Sequence, residues 1–79
     1  MKIVVYTQSG CLACDLVKSV LKESNQEYVE KIIGYDLSLA EFKLSFPDAE
    51  TVPFIIMGEE HVKYSEFVAK FREETQVTL

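Results

Sequence analysis

Tryptophan is absent, histidine occurs once, and the 79 residues hold only three glycines and two prolines. So little glycine and proline excludes a collagen-like chain or a flexible linker. Two cysteines are too few for a disulfide-stapled scaffold, and even with His61 they fall short of a four-ligand zinc site. Positive charge is scarce: eight basic residues against thirteen acidic ones leave a formal charge of −5. This balance argues against nucleic acid, whose phosphates demand a basic face, and against an anionic membrane surface. Long hydrophobic runs are missing as well. Val52 to Met57 is far below the roughly 20 residues of a membrane span, and the opening Met1 to Tyr6 is shorter than the apolar core of about 7 to 15 residues in a signal peptide. The expected setting is cytoplasmic, where a structural disulfide is not expected. The two cysteines therefore need another explanation.

What is present is an ordinary globular balance, 48% hydrophobic and 27% charged, in a length that suits one domain over residues 1–79. Lys2 to Tyr6 is β-branched and aromatic and reads as a buried strand, followed by turn residues at Thr7-Gln8-Ser9-Gly10. Leu12, Leu16, Val17, Val20 and Leu21 form the stripe of an amphipathic helix that runs to about Ser24, and Asn25-Gln26 ends it. Glu27 to Ile33 reads as a second strand that stops at Gly34. Ser38 and Glu41 have capping-box spacing, which predicts a short helix to about Phe46, with Leu39, Phe42 and Phe46 inward and Pro47 as the stop. Thr51 to Met57 reads as a central strand, Gly58-Glu59-Glu60 as a tight turn and His61 to Lys63 as an edge strand. Ser65 would cap a last helix with Phe67, Val68 and Phe71 inward, and Gln76 to Leu79 would fray. The order β-α-β-α-β-β-α implies a right-handed parallel crossover followed by an antiparallel hairpin. The expected fold class is α/β: a four-stranded mixed sheet with helices on both faces.

Cys11 and Cys14 stand between the first strand and the first helix. At a helix start, unsatisfied N–H groups and the positive end of the dipole favour thiolate over thiol. Cys14 lies one turn on, within reach of a disulfide, and a nucleophile with a partner three residues later suits thiol–disulfide exchange. The same pair also suits two buried small hydrophobes or half a zinc site; in a cytosolic β-α-β chain the redox reading is favoured. A second signal is Thr51-Val52-Pro53, which puts a proline at the head of the most apolar strand. A cis Val52-Pro53 bond would explain it and leave the backbone of Val52 free for an extended substrate; a trans proline at a strand's first residue is equally allowed.

Taken together, the strand, the Cys-x-x-Cys at a helix start and the later Thr-Val-Pro resemble the thioredoxin fold. With Tyr6-Thr7 ahead of the motif, they resemble the glutaredoxin family in particular, over Met1 to about Phe71. The resemblance implies that Cys11 attacks and Cys14 resolves. It implies that Thr51, Val52 and a cis Pro53 bind the peptide backbone of glutathione. Gln8, Leu12 and Ala13 beside the cysteines, and Ser65 or Glu66 at the last helix, complete the glutathione-binding set it implies. Lys18 matches a basic position common on the family's first helix. Neither a metal nor a bound cofactor is implied; glutathione enters as co-substrate to a monomer.

The sequence also departs from the family pattern. Leu12 and Ala13 stand where Pro and Tyr are usual, and Gln8 stands where many relatives carry Lys or Arg. Asp15 adds a negative charge near Cys11. The segment His61 to Glu66 lacks the Gly-Gly that holds glutathione's γ-glutamyl end, and offers Lys63 and Tyr64 instead. Two further readings follow: a donor for ribonucleotide reductase recharged by thioredoxin reductase, and a thioredoxin-fold module whose cysteines hold a metal. His61 reads as a surface residue, Glu59-Glu60 and Glu73-Glu74 as solvated faces, and Phe42, Phe46, Phe54, Phe67 and Phe71 as core. Tyr6 and Tyr64 are candidates for an apolar rim around the sulfurs.

Overall fold

A computed structural model describes residues 2–75, with side chains through Lys70. Its elements are β1 (Ile3–Thr7), α1 (Leu12–Glu23), β2 (Val29–Ile32), α2 (Leu39–Ser45), β3 (Phe54–Met57), β4 (Glu60–Val62) and α3 (Tyr64–Thr75). The expected tail from Gln76 to Leu79 and the inward side chain of Phe71 lie outside the described residues.

The strands form one sheet in the order β2-β1-β3-β4. β1 pairs in parallel with β2, Val4 beside Val29 and Thr7 beside Ile32. It pairs antiparallel with β3, Ile3 beside Met57 and Tyr6 beside Phe54. β3 turns through Gly58 into β4 on the far edge. This is the expected mixed sheet, and the period-2 alternation of β1 and β3 feeds two cores. On one face, Val17 and Leu21 of α1 and Phe67 of α3 cover Ile3, Val5 and Ile55. Completely burying a side chain such as Phe67 stabilises by about 1.5–3 kcal/mol. On the other face, Phe42 of α2 packs with Ile33, Ala49 and Phe54. Phe42 meets Phe54 edge to face at 5.5 Å and Tyr6 at 5.3 Å, geometries that aromatic quadrupoles favour.

The helix ends follow from local chemistry. α1 closes with Asn25 at φ 57, its N–H on the Lys22 carbonyl and the Gln26 N–H on the Leu21 carbonyl, which together make a Schellman motif. α2 opens with the full capping box: the Glu41 N–H donates to Ser38 Oγ at 3.0 Å, and the Ser38 N–H to Glu41 Oε1 at 2.8 Å.

Several expectations are corrected. β1 runs to Thr7, so Thr7 is a buried strand residue, not a turn residue. β3 starts at Phe54, because the bend through Thr51 and Val52 and the proline at 53 keep that stretch out of the ladder. β4 is displaced one residue, to Glu60–Val62. α3 begins at Tyr64, so Ser65 lies inside the helix; the cap position is Lys63, whose N–H donates to Glu66 Oε1 at 3.0 Å. Leu12 and Leu16 are exposed, and the buried side of α1 is Cys14, Val17 and Leu21. Leu39 is exposed rather than inward.

Candidate active site

The path from β1 to α1 turns at Gly10, whose φ of +75 only glycine adopts freely. Cys11 follows in extended conformation and is the N-cap of α1. Its sulfur stands where a serine or aspartate oxygen usually stands: the Cys14 N–H donates to Cys11 Sγ at 3.0 Å. The Asp15 N–H donates to the Cys11 carbonyl at 3.2 Å, which opens the helical ladder. Cys11 and Cys14 are joined by a disulfide with Cα atoms 5.2 Å apart. Cys14 is 1% exposed, whereas Cys11 is half-buried. Cys11 is thus the more accessible member of the pair. Once reduced, Cys11 keeps a helix start around its sulfur, which favours the thiolate.

A polar cluster that sequence reasoning missed joins β1, α1 and β2. The hydroxyl of Thr7, 2% exposed, donates to Glu30 Oε2 at 2.7 Å. Lys18 Nζ donates to the same oxygen at 2.9 Å and stands 3.6 Å from Asp15 Oδ1. The Thr7 hydroxyl, and after it Lys18, hold the Glu30 carboxyl below the usual range against the opposing effect of burial. The hydrogen bond to Glu30 raises Lys18 above its ordinary value. A signal was available: Thr7 continues the inward alternation of Ile3 and Val5, so a polar residue on the α1 face needs a buried partner.

The Val52-Pro53 peptide bond is cis. Pro53 is buried, Val52 half-buried and Thr51 exposed. Among the described residues, no backbone hydrogen bond of the loops and turns engages Thr51 or Val52. Thr51 and Glu50 stand between two depressions. One, of about 80 Å³, brings Gln8 together with Leu39, Thr51 and Val52. The other, of about 440 Å³, runs from Thr51 and Pro53 to Tyr64 and Ser65, with Asp48 and Lys63 also on its walls. Leu12, next to Cys11 in the chain, is 85% exposed, Ala13 is half-buried, and neither lines either of these two depressions. Glu66 is engaged at the start of α3 by the Lys63 N–H.

His61 is exposed on the edge strand and stacks on Phe54 at 4.0 Å. Tyr64 reaches the larger depression, but Tyr6 does not form a rim: it packs among Phe42, Phe46 and Phe54 on the face opposite α1. Among the described residues, no three His, Cys, Asp or Glu side chains gather as a metal site, and no helix is long and apolar enough to cross a membrane.

The family model described as Glutaredoxin matches residues 3–62. Among solved structures, the chain is similar to glutaredoxin 1 from Francisella tularensis, crystallised with cacodylate, at 26% identity and a TM-score of 0.72, covering 92% of this chain and 94% of that one. It is similar to the thioredoxin-like protein BC3987 at 30% identity and a TM-score of 0.71, over 90% and 96% of the two chains. At 16% identity it shares its fold with the glutaredoxin-like NrdH-redoxin from Escherichia coli, whose activity profile is described as thioredoxin-like (TM-score 0.72, 100% of both chains). A search of curated proteins gives no match.

Proposed function

The chain belongs to the glutaredoxin family of thiol–disulfide oxidoreductases, and on that premise we propose that it reduces disulfides and glutathione mixed disulfides and is recharged by glutathione. The observation that carries this reading is the asymmetry of the pair: Cys11, half-buried, caps α1 with its sulfur, and Cys14 is buried. The Cys11 thiolate attacks the substrate disulfide, forms a mixed disulfide and expels one substrate thiolate. Cys14 then attacks Cys11 Sγ, closes the internal disulfide and releases the second thiolate. Two electrons pass to the substrate. Two glutathione molecules return them, becoming glutathione disulfide.

Thr51 and Val52 support a place for the glutathione backbone, since an extended peptide pairs with free main-chain groups. Gln8 on one side and Ser65 on the other would border it, with Leu12, Ala13 and Glu66 further out. The protein would work as a monomer in the cytoplasm on disulfide-bearing proteins.

A second reading is favoured by the larger depression. Two carboxylates, Asp48 and Glu50, stand against one ammonium, Lys63, where glutathione would bring carboxylates, and Tyr64 fills space where the resemblance leads one to expect glycine. On that reading thioredoxin reductase supplies the electrons and ribonucleotide reductase is a candidate acceptor. The test is NADPH consumption on a glutathione mixed disulfide, with glutathione and glutathione reductase in one cuvette and thioredoxin reductase alone in the other. Turnover in the first supports glutathione coupling. Turnover confined to the second replaces it, and silence in both overturns the two readings.

A further inference from the structure

The cluster of Lys18, Glu30 and Thr7 takes no part in the scheme above, yet it is built against the helix that carries the resolving cysteine. Lys18 lies four residues after Cys14 on α1, a spacing that sets Cβ atoms about 5–6 Å apart. Its ammonium is drawn toward the sheet, since it donates at 2.9 Å to Glu30 Oε2 on β2, about a quarter of each side chain staying exposed. Glu30 is itself fixed by the hydroxyl of buried Thr7 at 2.7 Å. A cation paired with β2 thus stands one helical turn from a cysteine that is 1% exposed.

Cys14 has to become a thiolate to attack Cys11, and burial opposes its charged form. We propose that Lys18 and Glu30 are positioning residues for the resolving step: the held ammonium of Lys18 favours the Cys14 thiolate, and the carboxylate of Glu30 restrains that effect. The step balances simply. Cys14 loses its proton to water, its sulfur bonds to Cys11 Sγ, the bond from Cys11 to substrate sulfur breaks, and the departing thiolate carries away the electron pair.

Among the described residues, few other charges stand on the elements around Cys14. α1 also carries Asp15, next to Cys14 in the chain and 3.6 Å from Lys18, with Lys22 and Glu23 at its far end. β2 adds exposed Lys31; β1 and β3 carry no charged residue. On α3, which packs against α1, Glu66 is engaged by the Lys63 N–H and Lys70 is exposed.

This inference rests on the oxidoreductase reading, and one experiment separates the two. The reduced protein is mixed with an aromatic disulfide, dithio-bis-nitrobenzoate, across a range of pH. The first release of coloured thiolate reports attack by Cys11, and the second reports resolution by Cys14. In Lys18→Met the pH midpoint of the second phase rises by about one unit, close to a tenfold loss of rate below it. In Glu30→Gln, which keeps the shape, it falls. In Lys18→Arg it stays near the parent value. Shifts of the same sign in Lys18→Met and Glu30→Gln, or none in either, overturn the proposal, since a purely structural clamp would move both alike. If Lys18→Met does not fold, a Glu30→Gln midpoint that fails to fall is enough to overturn it. Loss of both phases in the parent protein overturns the oxidoreductase reading itself.

Discussion

Tyr6 pairs with Phe54 across the two central strands, so the end of β1 and the start of β3 meet at one edge of the sheet. Cys11 follows the first and cis Pro53 precedes the second. A cysteine at a helix start and a stretch of open backbone are thereby delivered to the same end of the molecule by strand register alone.

If glutathione recharges the site, Cys11→Ser is inactive on a glutathione mixed disulfide and Cys14→Ser keeps part of the activity. Cys11 alone can complete that cycle, whereas a protein disulfide needs both sulfurs. Steady-state rates on the two substrate types check this; equal loss in both variants counts against glutathione.

Removing negative charge from the larger depression lowers KM for glutathione. Glu50→Gln together with Asp48→Asn should lower it by roughly two- to fivefold at low salt, the size of exposed charge effects, with kcat unchanged. The difference should shrink as salt is added. A KM that does not move places the peptide elsewhere.

The Glu30 carboxyl is held below its ordinary value of 4.5, so it stabilises the fold above that pH, and the contribution disappears as pH falls through the lower folded value. Lys18 is raised above 10.5, so its contribution is present below that pH and disappears as pH climbs through the higher folded value. Urea midpoints measured across pH should therefore fall off at both ends, and Glu30→Gln should flatten the acid limb. An unchanged acid limb would show that the Thr7–Glu30–Lys18 contacts do not bear on stability.

Phe42→Ala should destabilise by about 3–5 kcal/mol, because it empties the centre of the aromatic face. Leu44→Ala, two residues on and 81% exposed, should stay within about 0.5 kcal/mol. Thermal melts distinguish them directly. Ser38→Ala falls between, at about 1 kcal/mol, since it removes one half of the capping box.

The order of elements, the mixed sheet and the cysteines at a helix start were legible in the sequence, because each rests on local chemistry: alternation, caps and a spacing of three. What was not legible depended on which side of a helix meets the sheet. Leu12 and Leu16 extend the apolar stripe of α1, but the sheet takes the side of Cys14, Val17 and Leu21. Tyr6 stands on the strand that leads to Cys11, yet pleating sends it to the opposite face. Thr7 was read as turn chemistry because threonine is polar, while its partner Glu30 sits on a neighbouring strand that no short-range pattern connects to it. The same holds for Ser65, which has the composition of a cap but follows Tyr64 inside α3, while the cap position is Lys63, whose N–H donates to the Glu66 carboxylate.

The sulfur of Cys11 is at once a redox atom and the cap of a helix. An anionic acceptor draws a backbone N–H about twice as strongly as a neutral one. Each electron pair that arrives therefore tightens the first turn of α1, and each that leaves slackens it. By linkage, the tightening resists giving the electrons up. Twelve residues of helix thus act as a counterweight on the electron affinity of one atom, and any change that weakens the start of α1 makes the protein a readier donor.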